Sequence, residues 1–151
     1  MMKSVYKLVA VFMLLFAQMA FAAGAETAGQ IFTLDNGLKV FIKPVNSSPV
    51  VALNIWIKVG SVNEEPGEEG YSHLIEHMMF KGTSTYPDGA LNNEIKKIGA
   101  HQNAFTANDY TSYYLVGASQ YFDKMMQLQA DAVLNSSFDA EELKKETQVV
   151  I

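Results

Sequence analysis

The sequence predicts an α+β fold, in which an antiparallel or mixed β-sheet is covered on one face by helices. Segments rich in valine, isoleucine and aromatic residues favour strands, and they are interspersed with segments that favour helices. The helical segment at residues 71–80 carries apolar residues on either side of its polar ones, so it should be buried. The 151 residues, 49% of them hydrophobic, are enough for one domain of modest size.

Five strands and two turns are expected. The strands are residues 31–34, 38–42, 50–59, 101–106 and 111–116. Asp35-Asn36-Gly37 is a strong turn signal and predicts that the first two strands form a β-hairpin. Residues 50–59 are rich in Val, Ile and Trp and predict a central strand. Residues 107–109 predict the turn between the last two strands.

Four helices are expected, each with a local start or stop signal. They are residues 71–80, 90–98, 120–134 and a last helix from residue 140 that is still running at 151. Asp88 is expected to cap the second helix and Gly99 to end it. Ser119 is expected to cap the third. Asp139 and Glu142 have the spacing of a capping box at the start of the last.

The first 22 residues have the order of a bacterial secretory signal peptide. Basic residues are followed by the apolar run 8–16 and then by the small-x-small sequence Ala20-Phe21-Ala22. The apolar run 8–16 is short for a membrane span, which needs about 20 apolar residues. We therefore expect cleavage and export to the periplasm, with an uncleaved anchor as the alternative. The expected division is 1–22 as signal peptide, 23–30 as a short N-terminal tail and 31–151 as the folded domain.

Composition excludes some classes of function. The net charge is −5, and loss of Lys3 and Lys7 with the leader would move it to −7. A chain without arginine and with this acidic balance is unlike a nucleic-acid-binding protein, which needs a basic patch. It has no cysteine, so no disulfide is expected and any metal must be held by His, Glu or Asp.

Residues 73–77 read His-Leu-Ile-Glu-His and carry the strongest functional signal. Two histidines four apart share one face of a helix, where His73 and His77 can bind a single zinc ion. Glu76 lies beside that face and can take a proton from water at the metal. This H-x-x-E-H order is the inverted zinc peptidase motif and predicts a zinc-dependent peptidase. The alternative is a solvated helix with a chance pair of histidines.

Other polar residues are expected to be structural. The acidic residues of the loop at 60–70 should form a solvated rim; they are Glu64, Glu65, Glu68 and Glu69. His101 is expected to be a surface residue of its strand.

Residues 31–151 resemble the N-terminal domain of the M16 metallopeptidases, which include pitrilysin, insulin-degrading enzyme and the mitochondrial processing peptidase. The matching segments occur in the family's order. They are Leu34-Asp35-Asn36-Gly37-Leu38-Lys39-Val40, Gly60-Ser61, Gly70, the run from His73 to Thr83, Gly99, Asn103-Ala104-Phe105-Thr106, Asp109, Thr111, Glu142-Leu143, Glu146 and Val149-Val150.

The resemblance implies a role for each matching site residue. His73 and His77 would bind one zinc ion per site, and Glu76 would be the general base that activates water for attack on a peptide carbonyl. Asn103 and Ala104 would lie on an edge strand, which can pair with an extended peptide substrate through main-chain hydrogen bonds.

The resemblance also implies that the site is incomplete within these residues. The family's third ligand is a glutamate that would fall just past Ile151, so the chain is expected to be an N-terminal fragment. Glu146 aligns with an earlier glutamate and would orient a ligand rather than bind the metal. With two histidines alone we expect weak zinc binding and little hydrolysis. A second homologous domain or subunit would have to close over the substrate.

Three functions therefore remain open from the sequence. The leading one is an exported zinc endopeptidase acting on peptides or small unfolded proteins. The second is a non-catalytic partner subunit of such a peptidase, and the third is a protein that holds zinc without hydrolysing peptides.

Overall fold

The structure is a computed structural model that describes residues 28–87 and 89–150. The strands are β1 (Gln30–Thr33), β2 (Lys39–Ile42), β3 (Val50–Ile57), β4 (His101–Thr106) and β5 (Thr111–Ala118), and the helices are α1 (Tyr71–Met78), α2 (Ala90–Lys97), α3 (Phe122–Leu134) and α4 (Ala140–Val150). Every expected strand and helix is present, with ends shifted by up to two residues. The predicted signal peptide and Asp88 lie outside the described residues.

The chain divides into two units at Ser48 and Pro49. In the first, β1 and β2 form the expected antiparallel hairpin, in which Gln30 pairs with Ile42. Gly37 has φ 85°, a conformation that glycine adopts without strain. The Asn36 side chain also accepts a hydrogen bond from the Leu38 N–H at 3.1 Å, as in an Asx turn. The turn signal in the sequence therefore predicted this hairpin correctly.

The second unit contains an antiparallel three-stranded sheet in the order β3-β5-β4. The prediction that residues 50–59 form a central strand is wrong for this sheet, because β5 is the central strand and β3 lies at an edge. Side chains of β3 alternate between half-buried and exposed positions, as expected for a strand with one covered face. The apolar content of a strand does not report how many neighbouring strands it has.

Helices α2 and α3 cover one face of this sheet. The core contains side chains from both helices and from β5; they are Leu91, Ile95, Leu115, Met125 and Leu128. Val51 and Leu53 of β3 pack against this core from the same face. On the opposite face, Trp56 is 58% exposed. The structure thus confirms the predicted α+β architecture, with helices on one side of an antiparallel sheet. No helix in the described residues is long and apolar enough to cross a membrane.

The helix-terminal predictions were partly correct. Asp139 caps α4 as expected, since its Oδ1 accepts hydrogen bonds from the N–H groups of Glu141 and Glu142 at 3.0 and 3.1 Å. Glu142 does not return a bond to complete the capping box; its carboxylate binds Lys145 at 2.6 Å. Ser119 does not cap α3, because it begins a 3₁₀ turn that leads into the helix.

Gly99 ends α2 as predicted. Its φ is 64°, and its N–H donates to the carbonyl of Lys96 while the next N–H, of Ala100, donates to the carbonyl of Ile95. These paired bonds form the left-handed helix end that favours glycine. The chain then turns directly into β4, the strand that lines the candidate site.

Candidate active site

Helix α1 brings His73 and His77 together. Their Nε2 atoms lie 3.2 Å apart, and the two rings are at 90° to each other. Two nitrogens bound tetrahedrally to one zinc at about 2.0–2.1 Å would lie about 3.3 Å apart, so the spacing fits a shared metal. Within residues 28–87 and 89–150, no group of three or more His, Cys, Asp or Glu side chains is placed to hold a metal ion. The third ligand that the family resemblance implies just past Ile151 remains a prediction.

Helix α1 is only half buried, which corrects one expectation. Leu74 and Met78 are buried, but Ile75 is 44% exposed and His73 is exposed. The histidines are therefore accessible groups that water can solvate, and their burial does not by itself require a metal. The apolar residues of this segment predicted a buried helix. The prediction was wrong because the sequence does not show which sides of the helix other elements cover.

Glu76 lies on the side of α1 that faces β4. Its side chain is buried, with 7% of the residue exposed. Its Oε2 accepts a hydrogen bond from the Thr106 Oγ1 at 2.5 Å. Together with His73 it lines an open cleft of about 390 Å³, whose other wall includes Ala104 and Phe105. The carboxylate is thus held at the edge of a space that can admit a substrate.

Glu146 of α4 contacts the outer nitrogen of His77. Its Oε2 lies 2.7 Å from His77 Nδ1, and its Oε1 pairs with Lys81. Lys81 and then His77 hold the pKa of the Glu146 carboxyl below its usual range. An ionised Glu146 can accept the Nδ1–H of His77, and in that neutral tautomer the Nε2 lone pair faces His73. This carboxylate–histidine pairing is the arrangement that commonly orients a metal-binding imidazole.

The two residues predicted to bind substrate lie on β4, at an edge of the sheet. Asn103 is exposed, and its Oδ1 accepts the Ala104 N–H at 2.9 Å. Ala104 is part of the cleft wall, whereas the Asn103 side chain is on the opposite face of the strand by the alternation of β4. His101, at the other end of β4, is exposed with its ring 6.3 Å from that of Tyr114.

Glu64 has a structural role at the site that its position in the sequence did not indicate. The loop acids were expected to be a solvated rim. The Glu64 carboxylate instead accepts hydrogen bonds from the N–H groups of Gly70 and Ser72, at 2.9 and 2.7 Å. These bonds lower the pKa of Glu64, the Gly70 N–H contributing most. Gly70, which precedes α1, has no side chain to cap the helix. An acid-rich loop before a helix that lacks such a cap was the sequence signal that one of these acids could bind the start of the helix.

Replacement of Glu64 by alanine in the full-length protein should loosen the start of α1. We expect the amide protons of Gly70 and Ser72 to exchange with solvent at least about tenfold faster, because both lose their acceptor. Hydrogen exchange followed by mass spectrometry measures this. Glu65→Ala is the matched control, since Glu65 is exposed. Unchanged exchange in Glu64→Ala would show that the loop backbone supplies the cap without this carboxylate.

Comparison with known proteins identifies the family. The model of the insulinase family, peptidase family M16, matches residues 39–151. Cytochrome b-c1 complex subunit 1 of Bos taurus is 36% identical over 122 residues, which are 81% of this chain and 25% of that protein. An uncharacterized zinc protease of Rickettsia bellii is 42% identical over 118 residues, 78% of this chain and 29% of that protein.

A solved structure agrees with the sequence matches. The first half of the periplasmic protease PqqL from Escherichia coli aligns with a TM-score of 0.75 and 30% identity, covering 82% of this chain and 28% of that one. The chain therefore spans between 25% and 29% of the curated relatives described above. The family resemblance found in the sequence is confirmed, and this chain belongs to peptidase family M16.

Proposed function

We propose that this chain is the N-terminal part of a zinc-dependent endopeptidase that cleaves peptides or small unfolded proteins. The observation that carries the proposal is the pair of histidine Nε2 atoms 3.2 Å apart, of which His73 lines the same cleft as Glu76. Membership of a peptidase family supports the same conclusion. Activity, substrate and assembly are proposed for the whole protein, of which these residues form part.

His73 and His77 would hold one zinc ion per site, and a glutamate just past Ile151 would complete the ligand set. When bound, zinc supplies Lewis-acid chemistry: it polarises the peptide carbonyl and makes water more acidic. Glu146 would fix the ring of His77 by accepting its Nδ1–H at 2.7 Å. Lys81 would keep Glu146 ionised and hold its second oxygen away from the site.

Glu76 would act as the general base. It would take a proton from the attacking water and later pass it to the leaving amine nitrogen, so that the carboxylate is restored after each cycle. Its burial and its hydrogen bond from Thr106 support this role, because both restrict the movement of the carboxylate at the cleft.

The substrate would bind as an added strand along β4. An edge strand offers unpaired main-chain donors and acceptors to an extended peptide. Ala104 would contribute its main chain beside the cleft. Asn103, whose side chain accepts the Ala104 N–H, would release that N–H when a peptide carbonyl arrives. A second homologous domain or subunit would then cover the bound peptide.

Removal of the metal tests this proposal. The full-length protein should cleave an unstructured fluorogenic peptide, lose that cleavage on dialysis against a chelator, and recover it when one equivalent of Zn²⁺ is added. Cleavage that persists after the zinc has been removed, as verified by metal analysis, would refute the zinc mechanism.

A non-catalytic partner subunit is the alternative, and the similarity to a cytochrome b-c1 complex subunit favours it. It predicts a stable complex with an active homologue and no cleavage by this protein alone. Against it stands the complete His-x-x-Glu-His sequence at 73–77, which a purely structural subunit does not need.

We further propose export to the periplasm by a cleaved signal peptide, on the evidence of residues 1–22.

A further inference from the structure

Thr106 is the last residue of β4, and its hydroxyl meets the carboxylate of Glu76. The distance from its Oγ1 to Glu76 Oε2 is 2.5 Å, although the two residues are 30 positions apart in the chain. Because an ionised carboxylate only accepts hydrogen bonds, the hydroxyl of Thr106 is the donor. Glu76 is buried, while Thr106 is half-buried and both residues line the cleft, so this bond is partly shielded from competition by bulk water.

The neighbouring residues direct the Thr106 proton toward Glu76. Thr106 pairs across the sheet with Thr111, whose Oγ1 lies 3.5 Å from that of Thr106. The Thr111 hydroxyl donates its own proton to the carbonyl of Val59 at 2.9 Å. Thr106 is therefore left to donate to the closer acceptor, Glu76. Its branched Cβ also restricts the rotation that would turn the hydroxyl away.

We propose that Thr106 is a positioning residue for the general base. By holding Oε2 of Glu76, it fixes the orientation of the carboxylate at the cleft, and with it the other oxygen, Oε1, which would take the proton of the attacking water. This inference rests on the proposed role of Glu76. The Thr106 hydroxyl donates to the Glu76 carboxylate, so its effect on catalysis would pass through the orientation of that carboxylate.

Three variants of the full-length, zinc-loaded protein test the inference. Thr106→Val removes the hydroxyl while keeping the shape, and Thr106→Ser keeps the hydroxyl. Thr33→Val makes the same change at an exposed threonine of β1. We expect Thr106→Val to lose about 10- to 100-fold in kcat, the scale of a misplaced catalytic group, with KM and bound zinc unchanged. Thr106→Ser should recover most of kcat, and Thr33→Val should match the wild type.

A crystal structure of Thr106→Val gives a second result that does not depend on activity. The Glu76 carboxylate should rotate away from the orientation it has here. A wild-type kcat in Thr106→Val, an equal loss in Thr106→Ser, or loss of zinc from Thr106→Val would each overturn the inference. Cleavage retained by Glu76→Gln would instead refute the proposed function. The orientation of Glu76 in the crystal would still decide whether Thr106 holds it.

Discussion

Glu76→Gln in the full-length protein should lower kcat for peptide cleavage by about 10²- to 10⁴-fold, the usual contribution of a general base. Glutamine has nearly the same shape, and its carbonyl oxygen can still accept the Thr106 hydroxyl that binds Oε2 in the wild type. It cannot take a proton from water. The fold, the cleft and the histidine pair should persist, so zinc content by metal analysis should match the wild type.

Glu65→Gln is the matched control for this variant, because Glu65 is an exposed acid of the loop before α1. It should leave kcat unchanged. If Glu76→Gln cleaves the fluorogenic peptide as fast as the wild type, Glu76 is not the base. If the wild type binds zinc tightly but cleaves no peptide, the non-catalytic functions are favoured instead.

Features encoded within a few residues were predictable from the sequence. The turn at Asp35-Asn36-Gly37, the glycine end of α2 and the Asp139 cap all depend on local backbone geometry and on side chains that reach only their own turn. The spacing of His73 and His77 belongs to the same class, because helix periodicity alone places them on one face.

Contacts between distant segments were not predictable in this way. The Thr106 hydroxyl meets Glu76 only because β4 packs beside α1. For Glu64 the acid-rich loop was a signal, but it did not show which of its four acids would bind the start of α1. Hydrophobic pattern indicated that residues 50–59 form a strand but not that it lies at an edge of the sheet. It also overestimated the burial of α1, since coverage of a helix depends on its neighbours.

The position of Glu146 shows how sequence pattern and the packing of distant segments combine. Resemblance to the family assigned it a supporting role, and the helix that carries it was predictable from its cap. Its contact with His77 joins residues 69 positions apart and depends on the packing of α4 against α1. Family pattern could name this residue as a supporting one. Only the folded chain gives the atom it binds, the Nδ1 of His77.

Replacement of either motif histidine by alanine should abolish stable zinc binding by the full-length protein. Each imidazole provides one of the two nitrogens that lie 3.2 Å apart, and no third donor group among the described residues can replace it. The loss of affinity should exceed the roughly 10- to 100-fold that follows from removing an outer partner of a ligand. Competition with a fluorescent zinc chelator measures the affinity, and peptide cleavage should disappear with it.

His101→Ala is the matched control, since it removes the remaining histidine of the chain from an exposed site on β4. Its zinc affinity and its cleavage should equal those of the wild type. Equal loss of zinc in all three variants would mean that alanine at any histidine disrupts the fold. Zinc retained by both His73→Ala and His77→Ala would mean that the metal lies elsewhere. His73 and His77 would then be a chance pair of solvated side chains, which their exposure on α1 permits.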